Sequence, residues 1–331
     1  MTSVSNKPTV MVLEGINEPV GKSPHAHKVA RSAQRLNPSN PVAFTFKQRS
    51  TIPNVKTNSV KSEIEASFSK GFTRFANNLN AIARSKNKPN AVNCSFGFSE
   101  FLLLKIFQEK PEDYFKLATP EERNQLFDST QKDPQWKLPE LESYIDKTVD
   151  GSAKIAEAKE TARQAVTTLK KLNIPVIVAS GNYNDDIEAF KNEHPDVQFE
   201  SDEGQSAYAD LGTITVGASN PDGPLTYYSS RGPEVAFTTQ VPPSIEGRFN
   251  VRWDDKKKKV TGNYKTTGTS FTAPVVAAMY AELIEQGMTV DEATAYLKKL
   301  GTLKKDDTPE QSSYTDLNLA AVQRDPKFKD K

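Results

Sequence analysis

A single cysteine, Cys94, stands in a chain of 331 residues, so no disulfide can form within it. The fold must rest on its apolar core, and the lack of cross-links fits a reducing compartment without requiring one. Histidine is scarce as well, with three in the chain. No stretch approaches the ~18 consecutive apolar residues of a membrane-spanning helix. Neither sign of charge dominates: 43 basic and 42 acidic side chains leave a formal charge of +1. That balance gives no electrostatic reason to expect nucleic acid or an anionic membrane as partner. The opening Met1 to Gly15 lacks a cationic segment followed by an apolar run, so no secretory signal is read there. The expectation is a cytoplasmic chain, with a trimmed mature form or a signal-independent route of export left open.

What is present is an alternation of strand-like and helix-like apolar patterns, the mark of an α/β fold with a mainly parallel sheet flanked by helices. Val10–Leu13, Val42–Phe46, Ala91–Phe96, Val176–Ala179 and Ile214–Ala218 read as strands. Residues 60–84 read as a helix, with Ile64, Phe68, Phe72, Phe75 and Leu79 on one face. An earlier helix opens after Pro24 and carries Val29, Ala30, Ala33 and Leu36. Ser152–Leu172 and Val290–Leu300 follow as further helices, and Phe271–Ile284 is apolar nearly all round, which predicts a buried helix. Residues 98–150 break this rhythm, being charged and punctuated by Pro111, Pro120, Pro134 and Pro139. They read as a helical insertion on the rim of one domain spanning 1–331, dispensable for chemistry, and 302–331 read as a polar C-terminal tail. The basic run Lys256–Lys259 reads as a solvated hairpin, and Asn220-Pro221-Asp222-Gly223 as a turn.

The chemistry-bearing segments begin with Gly268-Thr269-Ser270-Phe271-Thr272-Ala273-Pro274-Val275-Val276-Ala277. A serine here meets the N-terminus of a buried helix, where N–H groups and the positive end of the dipole favour an alkoxide or a tetrahedral oxyanion. By position alone Thr269 or Ser270 is equally a helix cap. Ile174-Pro175-Val176-Ile177-Val178-Ala179-Ser180-Gly181-Asn182 runs an apolar strand into a corner that ends on a neutral side-chain amide with two donors. Ala91-Val92-Asn93-Cys94-Ser95-Phe96-Gly97 ends another strand on a glycine, where a second chain can approach closely.

Together these segments resemble the subtilases. The serine string is similar to the pattern Gly-Thr-Ser-x-x-x-Pro-x-Val-Ala, the Asn182 segment to a strand ending Ala-Gly-Asn, and the Asn93 segment to Val-Ile-Asn-Met-Ser-Leu-Gly. Thr215–Ala218 and Tyr228–Pro233 also look like family landmarks. The resemblance runs in the family's order over about residues 8–300, outside the insertion. It implies a subtilisin-like three-layer fold and a serine peptidase acting on proteins or peptides, with no cofactor. It also implies Ser270 as nucleophile, Asn182 as oxyanion donor, and Ser95, Phe96, Gly97, Ala179, Ser180 and Gly181 as substrate contacts. Glu14 and His25 take the places of the acid and the base. There the pattern departs: glutamate replaces aspartate, one residue before Gly15 is missing, Ala26 and His27 replace Gly-Thr, and Glu14 and His25 are only 11 positions apart. His25 is preferred to His27 because it brings Val29 and Ala30 into register. These departures keep open a pseudoprotease that binds extended peptides without cutting them. A metal site on His25 and His27 with Glu14 or Glu18, and calcium at Asp185-Asp186 or Asp254-Asp255, are further readings, although no EF-hand spacing occurs.

Overall fold

The computed structural model describes residues 8–14, 25, 28–30, 32, 43–48, 57–197, 204–221, 223–241, 252–254, 259–261, 268–305 and 312–328. Ala26, His27, Glu18, Ala33, Leu36, Asp222, Asp255 and Lys256–Lys258 lie outside these residues.

Strands β1 (Thr9–Glu14), β2 (Ala43–Gln48), β3 (Ala91–Cys94), β4 (Val176–Ala179), β5 (Ile214–Ser219) and β6 (Val235–Gln240) pair in parallel in the order β2-β1-β3-β4-β5-β6. Side chains alternate across each strand. Leu13, Val92, Cys94, Val176 and Val178 therefore enter one apolar layer. Val10, Val12, Ala91, Ile177, Ala179, Val216 and Ala218 enter the other. A strand buried on both sides is mostly apolar, which is why β4 stands out as an unbroken apolar run.

On the first face lie α1 (Val60–Ala83) and, beyond the insertion, the helix Ala153–Lys171. Ile64, Phe68, Phe72, Phe75 and Leu79 are all buried on α1, as their spacing predicts. Opposite them the later helix presents Ala158, Ala162 and Ala165, small residues that let the two axes approach.

Between these helices the chain forms α2 (Glu100–Gln108), α3 (Pro111–Leu117), α4 (Pro120–Leu126) and α5 (Leu138–Gly151), and Ala153–Lys171 becomes α6. Pro111, Pro120 and Pro139 each sit in the first turn of a helix, where a missing N–H costs least. The segment is helical as its composition suggests, but it is not appended to a rim. Phe101, Leu104, Phe107, Leu126, Phe127, Leu141 and Ile145 are buried in the same layer as α1 and α6. Removing it would strip that layer of its cover.

Glu122 ties the insertion down. It is 6% exposed, and its carboxylate accepts from Val60 N (3.1 Å), Lys61 N (2.9 Å), Thr119 N (2.9 Å) and the Tyr144 hydroxyl (3.0 Å). One side chain thus satisfies the otherwise orphaned first-turn N–H groups of α1 and completes the capping box of α4. Burial, and then the hydrogen bond to Glu122, hold the Tyr144 phenol protonated well above its usual range. Glu122→Ala leaves buried donors unpaired and is expected to cost about 3 kcal/mol. Chemical denaturation should show the midpoint falling with the slope unchanged, and a wild-type midpoint would refute the assignment.

The second face is covered by α8 (Ala273–Glu285) and α9 (Val290–Leu300), which follow α7 (Asn184–Glu193) in the chain. Every residue of α8 from Ala273 to Leu283 is buried. An antiparallel pair, β7 (Arg252–Asp254) and β8 (Lys259–Thr261), flanks the basic run and fits the hairpin reading.

Two expectations need correction. The run Ala91–Phe96 is strand only to Cys94, because Ser95 leaves the ladder for bonds to the segment before α8. Residues 302–331 are not simply a polar tail: β9 (Thr302–Lys305), β10 (Ser313–Leu317) and α10 (Leu319–Arg324) extend the sheet. β10 lies parallel to β6 and antiparallel to β9, so that among the described residues this sheet has eight strands. Tyr314, Leu317, Val322 and Phe328 supply its apolar anchors. Asp316 is buried as an acceptor for Ser219 Oγ (2.6 Å) and Thr238 Oγ1 (2.8 Å), which joins β10 to β5 and β6.

Candidate active site

In open parallel sheets ligands bind beyond the carboxyl ends of the strands. The predicted residues gather at that edge. Ser270 is half-buried in a 3₁₀ turn, Thr269–Phe271, that leads into α8. The turn needs Gly268, whose φ of 144° suits glycine and whose absent Cβ would stand 3.2 Å from Asn182 Nδ2.

Asn182 leaves β4 through Gly181, another glycine at positive φ (120°), where a Cβ would meet Gly204 O at 2.7 Å. The Asn182 side chain is exposed and oriented by its oxygen. Oδ1 accepts from Thr269 N (2.8 Å) and Thr269 Oγ1 (3.1 Å), which leaves the donor end, Nδ2, beside Gly268. An amide held in this way offers N–H groups at a preset place.

On the other side of the nucleophile stands Ser95. Ser270 Oγ donates to Ser95 O (3.0 Å), and Ser95 Oγ donates to Ser270 O (2.9 Å). Asn93, fully buried in β3, donates from Nδ2 to Ser95 Oγ (2.8 Å). Neither Asn93 nor the side chain of Ser95 is assigned a role by sequence, because the partner is 175 positions away.

His25 is helical and half-buried, and its ring packs on Phe271 with centroids 5.6 Å apart. It therefore neighbours the residue next to Ser270, while Val29 is buried with Phe271 in the α8 layer. Glu14 is the last residue of β1; Leu13 pairs with Cys94, so its backbone leaves the sheet level with Ser95.

The proposed substrate contacts divide. Phe96 packs edge-on against Tyr208 at 5.9 Å, and Gly97 is exposed, close to Ser206. Ala179 and Ser180 are buried, and the Ser180 N–H and C=O are bonded to Val216 O and Ser206 N. The polar groups of Gly181 are likewise bonded, to Thr269 and Ser230. The backbone groups of residues 180 and 181 thus help to hold Asn182 and Thr269 in place. Among the described residues no three His, Cys, Asp or Glu side chains converge as metal ligands, and no helix is long and apolar enough to cross a membrane.

A family model for the subtilases matches residues 16–312. The chain belongs to the subtilase family. As a subtilase it shares its fold with a crystal structure of a lanthipeptide protease, at 14% identity and a TM-score of 0.50, over 96% of this chain and 87% of that one. A cold-adapted subtilisin-like serine proteinase follows at 14% identity and 0.47, over 95% and 89%. The nisin leader peptidase of Lactococcus lactis gives 13% identity and 0.46, over 98% and 88%. None of the curated proteins matches the chain in sequence. The three-layer α/β architecture, with its mainly parallel sheet, is that of the subtilisin-like fold.

Proposed function

We propose that this subtilase is a serine endopeptidase hydrolysing protein or peptide substrates. The observation that carries the reading is the setting of Ser270, at a helix-opening turn with Asn182 on one side and the His25 ring packed on the next residue. His25 takes the hydroxyl proton as Ser270 Oγ attacks the scissile carbonyl carbon. The resulting oxyanion accepts from Asn182 Nδ2 and the Ser270 N–H. Collapse expels the amine, which leaves with the proton from His25, and water then cleaves the acyl-enzyme by the same steps. Glu14 is proposed to orient the imidazole and stabilise its cation. Phe96 and Gly97 are proposed to border the extended substrate. The chemistry is proposed to need no cofactor, and the chain is proposed to act in the cytoplasm.

A fluorophosphonate probe tests this directly. Wild-type protein should be labelled at Ser270, His25→Ala should lose labelling, and His27→Ala should keep it. Labelling that survives His25→Ala but not His27→Ala would transfer the role of base to His27, and an unlabelled wild type would overturn the proposal.

A further inference from the structure

We infer that Ser95 acts through its side chain as a positioning residue for the nucleophile, a role beyond contact with substrate; the inference rests on the serine-peptidase reading above. Two reciprocal hydrogen bonds join Ser95 and Ser270, each hydroxyl donating to the other residue's carbonyl, at 2.9 and 3.0 Å. They are not equivalent in a reaction. Before attack, the Ser270 O–H must turn from Ser95 O toward the base, and that rotation breaks the bond it donates. The bond from Ser95 Oγ to the Ser270 carbonyl involves no reacting atom and persists.

Asn93 gives this surviving bond its direction. Its Nδ2 donates to Ser95 Oγ at 2.8 Å, so the single Ser95 proton is committed to Ser270 O. Asn93 is fully buried and Ser95 is 5% exposed, so water does not compete for either group. On the preceding residue Asn182 Oδ1 holds Thr269 N. The backbone of the nucleophile is thus pinned on both sides, by β4 through Asn182 and by β3 through Asn93 and Ser95. Loss of one pin lets the 270–271 peptide rotate, and a displacement of about 1 Å at a reacting atom costs on the order of 10²-fold.

Two variants remove the pin in different ways. Ser95→Ala deletes the donor. Asn93→Asp keeps the size of the side chain but replaces the NH₂ donor with an acceptor, which draws the Ser95 proton away from Ser270. Rates are measured per folded molecule, with circular dichroism and thermal melting as the check on folding. Both variants should lower kcat by about 10- to 100-fold with KM within about twofold, and should slow fluorophosphonate labelling by a similar factor, since that small probe does not use the extended groove. Ser95→Thr, which keeps the hydroxyl, should recover most of the rate. If Ser95→Ala does not fold, Asn93→Asp decides. Parental kcat in a folded Ser95→Ala, or a loss confined to KM, overturns the inference while leaving the peptidase reading intact. A wild type that neither cleaves peptides nor is labelled overturns the peptidase reading itself, and this one with it.

Discussion

Ser270→Ala is expected to fold as the parent does and to lose peptide-bond hydrolysis by about 10⁶-fold in kcat, the scale found for the nucleophile of a related subtilase. The side chain contributes one hydrogen bond, to Ser95 O, and its residue is half-buried, so little stability goes with it. The bond from Ser95 Oγ to the carbonyl of residue 270 does not depend on this side chain. Binding should survive as well, because Phe96, Gly97 and Asn182 are untouched. Casein digestion and fluorophosphonate labelling, with a thermal melt as control, check the prediction. A variant that digests casein at the parental rate would refute the assignment of the nucleophile.

Glu14→Gln is expected to have the second largest effect, a fall in kcat of about 10⁴-fold with KM within about twofold. The exchange keeps shape and removes charge. If Glu14 orients the base, a neutral amide both favours the wrong imidazole tautomer and fails to stabilise the cation that forms in the transition state. The backbone supports this placement. β1 pairs with β3 up to Leu13 and Cys94, so Glu14 emerges beside Ser95, and Ser95 is bonded to Ser270. Glu14→Asp, with the carboxylate drawn back by one methylene, should fall between parent and Gln variant, losing about 10²-fold. Steady-state kinetics on a peptide substrate decide between these outcomes, and a Gln variant at parental rate would mean that the acid lies elsewhere.

Most of the sheet is legible because parallel strands covered on both faces are predominantly apolar. Val176–Ala179 is read to the residue, and Ile214–Ala218 to within one. Where burial is achieved by pairing polar groups, the pattern fails. β6 carries Thr238 and Thr239, and β10 carries Thr315 and Asp316, all buried and all polar. Thr238 and Asp316 satisfy each other, and Thr239 Oγ1 bonds Leu317 O, so the two strands make sense only as a pair. Neither strand shows as one in the sequence, and the second passes for a tail. α7 escaped for a different reason: it buries only Ile187 and Phe190, too few for a periodic signal. In the site, Ser270 and Asn182 are found from short contiguous patterns. The work of Asn93 and Ser95 depends on contacts between distant segments, which no local pattern records.

The burial of α8 bears on how such a protein would fare against itself. A peptidase at high concentration is also its own substrate, and proteolysis selects whichever backbone opens with the smallest free energy. No residue of α3 is fully buried, whereas α8 is enclosed over eleven consecutive positions from Ala273 to Leu283. Amide hydrogens of α8 would therefore exchange only when the whole molecule unfolds, while those of α3 exchange through local opening. Among the described helices, self-digestion would reach residues 111–117 more readily than α8, the helix that follows the turn holding Ser270. The first product of ageing would be a nicked chain still able to react with a serine probe.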